Sequence, residues 1–513
     1  FFDNMKAKTI EIRWHWKDLS EPVLSIDHHP SSCRIATAGS DNAVKVWEYT
    51  DSDDGFYNFH FLSCLCRETQ PVNAVRFLPR GDMLLSGHDG GLVILWRKAK
   101  DHKPPVSGFD TFHEDQKHNQ ETWTCERVMR GHTEDVYSLS VSPDMKFGVS
   151  GSIDANVIVW ELATGKQFQK LDDHAHYVQG LAWDPLNVYF ASQSSDRNIN
   201  FYLDTQKKMQ IANAKPQGKK RDGRFELDAS VSRDEEESGG PRYFRDETAS
   251  TFFRRLNWSP DGLFLVGVCG QYKEDPTKDD MVNCAHVFLR GTWDHSYLCL
   301  PIPDDDSPEP VVGVRWSPVF YKVRGHPVSS PWGLEHYRMV FVLFTMSTVF
   351  IYDTSCAQPV ATISNLHLAT ITDATWSPEG YTLLIASKDG YVSVVTFDEN
   401  ELGQAWDMGV DREDLPPGLQ EVKQARSEID DDADDEYRRI VKDGLPSPPR
   451  EPKDERQEVK EERKVKTVDF DTTPMVEDEQ EPPVSAASVQ MEVDAPAAVP
   501  PPVAQLEGLF DEE

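Results

Sequence analysis

The sequence predicts an all-β fold made of seven similar units, and two recurring features carry this prediction. A strand-like apolar segment runs into a proline seven times along the chain, at Pro30, Pro79, Pro143, Pro185, Pro260, Pro318 and Pro378. A later segment of each unit ends on a large aromatic residue, at Trp47, Trp96, Trp160, Tyr202, Phe288, Tyr352 and Phe397. Because proline presets φ for a tight turn, each unit is predicted to hold short strands joined by turns. Such self-similarity indicates a repeat architecture.

The first unit shows how the strands follow one another. Residues 34–39 combine small and apolar side chains, residues 40–42 read Ser-Asp-Asn, and residues 43–47 alternate as far as Trp47. Period-two alternation is typical of a strand whose two faces have different surroundings. Aspartate recurs in the equivalent turns, at Asp41, Asp89, Asp154, Asp196 and Asp389. Its side chain hydrogen-bonds nearby backbone and tolerates unusual φ values, which favours a turn at these places.

The units resemble WD40 repeats, which form the four-stranded blades of β-propellers. Two consecutive units carry the residues that this resemblance identifies as a blade network: His132, Ser150, Asp154, Trp160, His174, Ser192 and Asp196. In WD40 proteins the His, Ser and Asp side chains form buried hydrogen bonds that brace the blade. The signature Trp-Asp pair itself is absent, although the repeat period is kept. The resemblance implies a seven-bladed WD40 β-propeller over residues 1–403.

A closed ring needs a strand that joins its two ends. The segment from Thr9 to Trp14 alternates ahead of the first unit, so we predict that it forms the outer strand of the last blade, beside residues 390–395. Closure of this kind removes exposed sheet edges. Insertions into the blades map to loops on the faces of the ring. We predict such insertions near residues 97–125, 204–250, 270–283 and 318–337.

The charge of the chain is strongly negative and unevenly distributed. The formal net charge is -34, and residues 401–513 alone hold 32 acidic and 13 basic residues. Binding of nucleic-acid phosphates needs concentrated Lys and Arg, so no direct nucleic-acid site is predicted. An acidic field favours basic protein partners instead. Residues 404–513 combine this charge with many prolines and few apolar side chains, which predicts a disordered acidic tail.

Cysteine usage and hydropathy indicate the cellular setting. None of the eight cysteines forms a Cys-x-x-Cys pair, and several lie in strand-like runs. We interpret them as reduced thiols of an intracellular protein. No apolar run approaches the roughly 18 to 20 residues of a spanning helix, so we expect a soluble protein without a membrane partner.

The histidines and carboxylates do not form a recognisable catalytic motif. His113 and His118 flank Glu114, but a zinc-protease helix needs its second His four positions after the first, and here it follows by five. Cys64 and Cys66 are interpreted as strand residues. The sequence has no Gly-rich phosphate loop after a strand and no Gly-x-Ser-x-Gly elbow. We therefore predict that the protein is not an enzyme and has no catalytic, cofactor-binding or metal-binding residues.

Several stretches outside the repeat pattern resemble one family, the WD-repeat middle subunits of chromatin assembly factor 1, a histone chaperone complex. They are spread over nearly the whole propeller, at residues 11–15, 131–137, 177–185, 252–256, 387–391 and 399–403. The resemblance implies a nuclear scaffold that joins the large and small subunits of the complex and helps deposit histones H3 and H4 in replication-coupled nucleosome assembly. Two alternatives stay open: a HIRA-type, replication-independent histone chaperone, and a substrate-receptor propeller of a ubiquitin ligase.

The resemblance also implies a short basic-aliphatic motif in the tail, which adds a strand to a sheet of the anti-silencing-function histone chaperone. The stretch that matches best contains Arg438, Arg439, Ile440 and Leu445, although Lys442 stands where the family tends to have Leu. A rival stretch with stronger strand propensity contains Arg463, Lys464, Val465 and Val468. Either basic pair can also be mere spacing within an acidic tail, and the sequence leaves this alternative open.

Overall fold

The computed structural model describes residues 6–12, 14–15, 20–52, 56–101, 113–207, 224–232, 242–273, 280–303, 309–324 and 330–406. Within these residues, seven antiparallel sheets of four strands follow one another along the chain. Each sheet is one blade, and its strands are hydrogen-bonded in chain order in all blades but the last. The predicted seven-bladed, all-β propeller is therefore confirmed.

The strands are numbered along the chain, starting with β1 (Lys6–Ile10). Blade 1 contains β2 (Val23–His28), β3 (Arg34–Gly39), β4 (Val44–Asp51) and β5 (Tyr57–Leu65). Blade 2 contains β6 (Val72–Phe77), β7 (Met83–His88), β8 (Leu92–Lys98) and β9 (Trp123–Arg130). Blade 3 contains β10 (Val136–Val141), β11 (Phe147–Ser152), β12 (Val157–Glu161) and β13 (Lys166–Leu171). Blades 4 and 5 contain β14 (Val178–Trp183), β15 (Tyr189–Ser194), β16 (Ile199–Asp204), β17 (Phe225–Val231); β18 (Asn257–Trp258), β19 (Phe264–Tyr272), β20 (Val282–Leu289) and β21 (Leu298–Pro301). Blades 6 and 7 contain β22 (Gly313–Lys322), β23 (Tyr337–Phe344), β24 (Thr348–Asp353), β25 (Pro359–Ser364); β26 (Ile371–Trp376), β27 (Thr382–Ser387), β28 (Val392–Thr396) and, from the start of the chain, β1.

Blade 7 is completed by the first strand of the chain, which closes the ring. β1 pairs antiparallel with β28, so that Lys6 lies opposite Thr396 and Ile10 opposite Val392. The predicted pairing is confirmed, but the strand covers Lys6–Ile10 rather than the predicted Thr9 to Trp14. The reason is that Trp14 leaves the sheet and is fully buried against the rings of Trp47 and Phe59.

The blades pack face to face, so most strands are buried on both faces. All residues of β14 and β16 are buried, as are all those of β26 and β27. The outer strands β13 and β25 are largely exposed on one face. The innermost strand of each blade lies against that of the next, and β26 contacts β2 to complete the circle around a central channel.

Six of the seven repeat prolines lie in turns after the innermost strand, as predicted, and Pro318 does not. It lies inside β22, where the pairing with β23 shifts register between Trp316 and Phe320. Proline has no N–H to donate, and a bulge is a position where the ladder is already interrupted. The strand continues to Lys322, so the predicted insertion at 318–337 is too wide and reduces to residues 323–336.

The other predicted insertions also need correction, because strands extend into them. β8 and β9 narrow 97–125 to residues 99–122, and β19 and β20 narrow 270–283 to residues 273–281. β17 lies within the predicted 204–250 insertion and is the outer strand of blade 4. Apolar and polar residues alternate only weakly in this strand, and many charged residues surround it, so the sequence pattern did not predict a strand here.

Helical structure is limited to short turns in the described ranges just given. 3₁₀ turns cover Asp89–Gly91 and Glu114–His118, residues 205–207 are helical, and a further helix covers Glu399–Leu402 with Asp398 as its N-cap. No helix in the part of the chain that the structure describes is long and apolar enough to cross a membrane. The chain packs on blade 6 as far as Trp406, whose ring stacks on Tyr337 at 5.6 Å, three residues beyond the predicted end of the propeller.

Candidate functional site

The predicted network of blade 3 is assembled from two strands and two loops. Trp160 Nε1 donates to Ser150 Oγ at 2.8 Å, Ser150 Oγ lies 2.7 Å from His132 Nε2, and His132 Nδ1 lies 3.0 Å from Asp154 Oδ2. Since Ser150 Oγ accepts a hydrogen bond from the Trp160 N–H, its own O–H donates to His132 Nε2, and the protonated Nδ1 then donates to Asp154. Burial raises the pKa of Asp154, but the hydrogen bond and charge of His132, together with the hydrogen bonds from Thr133 and Asn156, outweigh burial and hold this pKa below its usual range.

Blade 4 repeats the arrangement with one substitution. His174 Nδ1 lies 2.8 Å from Asp196 Oδ2, and His174 Nε2 lies 2.6 Å from Ser192 Oγ. Tyr202 takes the place of the tryptophan and is fully buried. The structure thus brings together the network residues predicted in both blades. Their side chains hydrogen-bond to one another within each blade.

Blade 1 contains a network that the sequence reading missed. His15 Nδ1 lies 2.6 Å from Asp41 Oδ1, His15 Nε2 lies 2.9 Å from Thr37 Oγ1, and Trp47 Nε1 donates to Thr37 Oγ1 at 3.0 Å. The histidine precedes Thr37 by 22 residues, whereas the interval is 18 in blades 3 and 4. A search that allowed a longer loop after the histidine and Thr in place of Ser would have found it.

The network of blade 7 is truncated. His367 Nδ1 lies 3.1 Å from Asp389 Oδ2, but the position of the serine holds Ile385. His367 Nε2 has no hydrogen-bond partner among the residues that the structure describes. The networks thus differ in the number of hydrogen bonds that brace each blade. Because their side chains bond to one another inside the blades, the candidate binding surface lies elsewhere.

The segment before β18 crosses the end of the central channel and is anchored there by Arg255. The Arg255 guanidinium donates to the carbonyl oxygens of Thr372 at 3.0 Å and Leu24 at 2.9 Å, with a longer contact of 3.4 Å to that of Asn73. These carbonyls belong to the innermost strands of blades 7, 1 and 2. One buried arginine therefore ties blade 5 to three blades beyond its neighbours.

A buried carboxylate balances the charge of this arginine. Asp373 Oδ1 accepts from Arg315 at 2.6 Å, while its Oδ2 accepts from Ser25 at 2.9 Å and lies 3.3 Å from Arg76 and 3.5 Å from Arg255. Burial raises the pKa of Asp373, but the three guanidinium groups outweigh this effect and hold it well below its usual range. The cluster is a polar core around the channel axis.

The preceding arginine fixes the same segment to blade 4. Arg254 Nη1 donates to the carbonyl oxygens of Ser194 at 3.1 Å and Arg245 at 2.6 Å, and its backbone N–H donates to Gln179 O at 3.1 Å. Gly180 permits this approach, because a Cβ at that position would lie 1.7 Å from the Arg254 carbonyl oxygen. The sequence analysis assigned no role to the two arginines of residues 252–256. In the structure, they hold the crossing segment in place.

The phenylalanine at the start of the crossing segment is presented to solvent. Phe252 is 38% exposed and stacks on Tyr137 with ring centroids 4.5 Å apart, and Lys388 Nζ lies 4.9 Å from its ring centre. Tyr177, at the start of β14, is 43% exposed. A cavity of about 230 Å³ opens between the crossing segment and the turn at Met346. Phe252, Tyr137 and Tyr177 lie near the starts of innermost strands, at one end of the central channel. We therefore call these three residues the mouth patch.

Acidic side chains border the mouth patch on the side of blade 2. Burial raises the pKa of Tyr137 to about 12, and the neighbouring carboxylates of Asp135 and Asp89 act in the same direction. Asp135 accepts from the backbone N–H of Gly90 at 2.8 Å, and Asp89 accepts from Asn73 at 2.6 Å. Burial also raises the pKa of Asp89, against the hydrogen bond from Asn73.

The mouth patch and its border combine two features that bind cationic side chains. Exposed aromatic faces attract Lys and Arg through their π systems, and carboxylates add Coulombic attraction. Aromatic residues in the centre of a polar rim are also typical of protein interfaces. The arrangement is suited to a basic segment of a protein partner.

Comparison with known proteins identifies the fold family. The CAF1B/HIR1 β-propeller domain matches residues 5–402, which includes every blade and the crossing segment. The chain belongs to this family. The mouth patch and the arginine anchors therefore lie within the CAF1B/HIR1 domain rather than in an addition to it.

Relatives of this CAF1B/HIR1 propeller include two chromatin assembly factor 1 subunits and a hir1 protein. The chain is 35% identical to the rice chromatin assembly factor 1 subunit FAS2 homolog, an alignment that covers 80% of this chain and 76% of the relative. It is 35% identical to the mouse B-type subunit of chromatin assembly factor 1, covering 78% and 68%. Protein hir1 of Schizosaccharomyces pombe is 28% identical, covering 78% of this chain and 38% of the relative.

The predicted tail motif lies outside the described part of the CAF1B/HIR1 chain, which ends at residue 406. This applies to Arg438, Arg439, Ile440 and Leu445 and to the rival Arg463, Lys464, Val465 and Val468. Both stretches therefore remain sequence predictions.

Proposed function

We propose that this protein is a non-catalytic scaffold subunit of a chromatin assembly factor 1 complex in the nucleus. In this role it joins the large and small subunits and helps deposit histones H3 and H4 onto DNA during replication-coupled nucleosome assembly. The observation that carries the proposal is the similarity to relatives named as subunits of chromatin assembly factor 1, at 35% identity over most of both chains. The closed ring supports it, because propellers offer large binding faces without chemistry of their own.

Affinity purification of the full-length tagged chain from replicating cells tests the proposal. Mass spectrometry is expected to find the large and small subunits of chromatin assembly factor 1 in near-equal amounts with the chain. Recovery of HIR-type subunits in their place would support replication-independent deposition, which the weaker similarity to hir1 keeps as the second candidate. Recovery of a ubiquitin ligase core would contradict both.

The mouth patch is proposed to hold a basic segment of one of these partners. The reasons are the exposed rings of Phe252 and Tyr177 and the bordering carboxylates of Asp89 and Asp135. Titration of the full chain with the H3–H4 heterodimer and, separately, with the large subunit tests this. Phe252→Ala with Tyr177→Ala is expected to weaken binding of one partner about tenfold or more, the effect of losing central aromatic anchors. Phe168→Ala is the matched control, since Phe168 is 44% exposed on the outer strand β13.

The tail stretch from Arg438 to Leu445 is proposed to add a strand to the anti-silencing-function chaperone, with Arg463 to Val468 as the rival. Main-chain pairing supplies affinity and alternate side chains supply specificity in such complexes. Peptides covering residues 434–449 and 460–474 are titrated against that chaperone at two salt concentrations, which separates pairing from charge attraction. Binding by the second peptide alone would reverse the choice, and binding by neither would remove the motif.

A further inference from the structure

Blade 5 contains three metal-ligand side chains on one face of neighbouring strands. Cys284 and His286 are two residues apart on β20 and therefore point to the same side. Cys299 on β21 lies directly opposite His286, which places it on that side as well. Cys284 Sγ and His286 Nε2 are 3.4 Å apart, and the two sulfurs and this nitrogen all lie within 4.8 Å of one another.

The 3.4 Å between Cys284 Sγ and His286 Nε2 fits a single ion, and the other two separations stay below 4.8 Å. With bonds of about 2.3 Å to sulfur and 2.0 to 2.1 Å to nitrogen, two ligand atoms on a tetrahedral zinc stand roughly 3.5 Å apart. The backbone carbonyl oxygen of Gln271 lies 3.2 Å from His286 Nε2 and offers a fourth position. The ligand set of two thiols, one imidazole and one oxygen is of the kind that binds zinc.

The imidazole is held from its other side. Ser296 Oγ lies 3.1 Å from His286 Nδ1 and 2.8 Å from the carbonyl oxygen of Leu298. The rings of Tyr243 and Phe244 cover it at centroid distances of 4.7 and 5.7 Å. Hydrogen bonding to the far nitrogen is the usual way in which a protein orients a histidine ligand.

Gly270 packs closely on the ligand cluster. A Cβ at this position would lie 2.7 Å from the Cys284 carbonyl oxygen, 2.9 Å from His286 Cδ2 and 3.2 Å from Cys284 Sγ, so a larger residue would displace two of the three ligand residues. Cys284 is fully buried and His286 nearly so, while Cys299 is only partly buried and gives an entry path.

We propose that Cys284, His286 and Cys299 form a structural zinc site that fastens the outer strand β21 to β20. Binding releases the two thiol protons to solvent, and the two thiolates neutralise the charge of Zn²⁺. The sequence alone predicts no metal ligands, because the site depends on cross-strand pairing rather than on a Cys-x-x-Cys spacing. This inference is independent of the proposed chromatin function.

A second group of ligand-type side chains does not carry the same inference. Cys64, His113 and Asp115 also lie within 4.8 Å of one another. However, Lys45 Nζ lies 2.7 Å from Asp115 Oδ2 and 3.0 Å from Asp41 Oδ2. The buried ammonium already supplies the positive charge that a metal would bring.

Metal analysis of the full-length chain tests the proposal. The chain is purified under reducing conditions, exchanged with Zn²⁺ and freed of excess ion, and zinc is measured by mass spectrometry. We expect about one zinc per chain, lost in the variant Cys284→Ser with Cys299→Ser and kept in Cys125→Ser, a partly buried thiol on β9. Substitution with Co²⁺ is expected to give the visible spectrum of tetrahedral thiolate coordination in the wild type and in Cys125→Ser, and not in the double variant.

Two further measurements keep the test decisive if the double variant does not fold. Zn²⁺ is expected to protect the Cys299 thiol of the wild type from a thiol reagent under native conditions. Ser296→Ala, which keeps all three ligands, is expected to weaken zinc binding about 10- to 100-fold, as loss of a partner behind a histidine ligand does. Equal zinc in the wild type and the double variant, unchanged thiol reactivity, or a Cys284–Cys299 disulfide in the zinc-exchanged protein would overturn the proposal.

Discussion

Arg255 Nε donates a hydrogen bond of 3.0 Å to the carbonyl oxygen of Thr372, which lies 117 residues further along the chain. The two residues belong to blades that are not neighbours, since Arg255 lies at the entry to blade 5 and Thr372 in the innermost strand of blade 7. The centre of this propeller is therefore held by a buried cation and backbone carbonyls. Such a polar core fixes the relative positions of the blades only while its buried polar groups keep their hydrogen-bond partners.

Replacement of Arg255 by Met is expected to destabilise the protein by roughly 3 to 5 kcal/mol, since it leaves Asp373 with less compensating charge and several carbonyls without a donor. Arg255→Lys keeps the charge but not the planar fork, and is expected to recover only part of the loss. Urea unfolding of the full-length variants measures both. Lys166→Met on the exposed strand β13 is the control, and equal stability of Arg255→Met and this control would contradict the role of the anchor.

Asp27 makes the stability of the ring depend on pH. Burial raises its pKa to about 6, although Arg76 and the backbone N–H of Phe77, which donates to it at 2.7 Å, oppose the shift. A raised folded-state pKa gives stability that is present below about pH 4 and is lost as the pH rises through 6. Because Asp27→Asn imitates the protonated acid, it is expected to gain about 1 to 2 kcal/mol on the wild type between pH 4 and pH 7. Unfolding curves at several pH values, with the exposed Asp294→Asn as control, test this. A difference that does not change with pH would contradict it.

Trp14 secures the seam of the ring from inside. It is fully buried, packs on Trp47 with centroids 4.9 Å apart, and donates from Nε1 to Ile10 O at 3.3 Å. Trp14→Ala is expected to cost about 3 to 5 kcal/mol by leaving a cavity beside β1. Trp406→Ala, at the other end of the described chain, is expected to cost less because its ring is only partly buried. Chemical denaturation compares the two, and equal losses would show that the seam is not specially dependent on Trp14.

The unequal blade networks predict unequal effects of the same substitution. His132→Ala leaves Asp154 and Ser150 without their shared partner and is expected to cost about 2 to 4 kcal/mol. His367→Ala loses only the bond to Asp389 and is expected to cost about 1 to 2 kcal/mol. Thermal unfolding of the paired variants provides the comparison. A larger loss in His367→Ala would reverse the order that the hydrogen bonds imply.

The repeat was predictable from the sequence because its signals are local. A proline turn and an alternating strand lie within a few residues of each other, so the blades and the pairing of β1 with β28 followed from pattern. The prediction that Pro318 lies in a turn was wrong, because proline, which has no N–H, is tolerated both in a turn and at a β-bulge. The outer strand β17 escaped notice because its exposed face is charged.

The candidate surface and the metal ligands were not predictable in the same way. Arg255 contacts carbonyls 117, 182 and 231 residues away, and no spacing rule reaches so far. Cys299 meets His286 only through strand register. His15 was missed for a simpler reason, since a longer loop separates it from Thr37 than in the other blades. Local chemistry thus determines the blades, whereas the arginine anchors depend on how the blades meet and the metal ligands on how two strands of one blade pair.

The pairing of β1 with β28 has a consequence for synthesis of the chain. The strand that completes blade 7 leaves the ribosome before the other strands of the ring, and its partner follows about 380 residues later. At roughly 5 to 20 residues per second, translation holds the first strand unpaired for about 20 to 80 s. The edge of β1 stays unpaired for all of that interval, although the partners of Trp14, the rings of Trp47 and Phe59 in blade 1, are made early. The nascent chain therefore needs protection at β1 for longer than at any other strand that the structure describes.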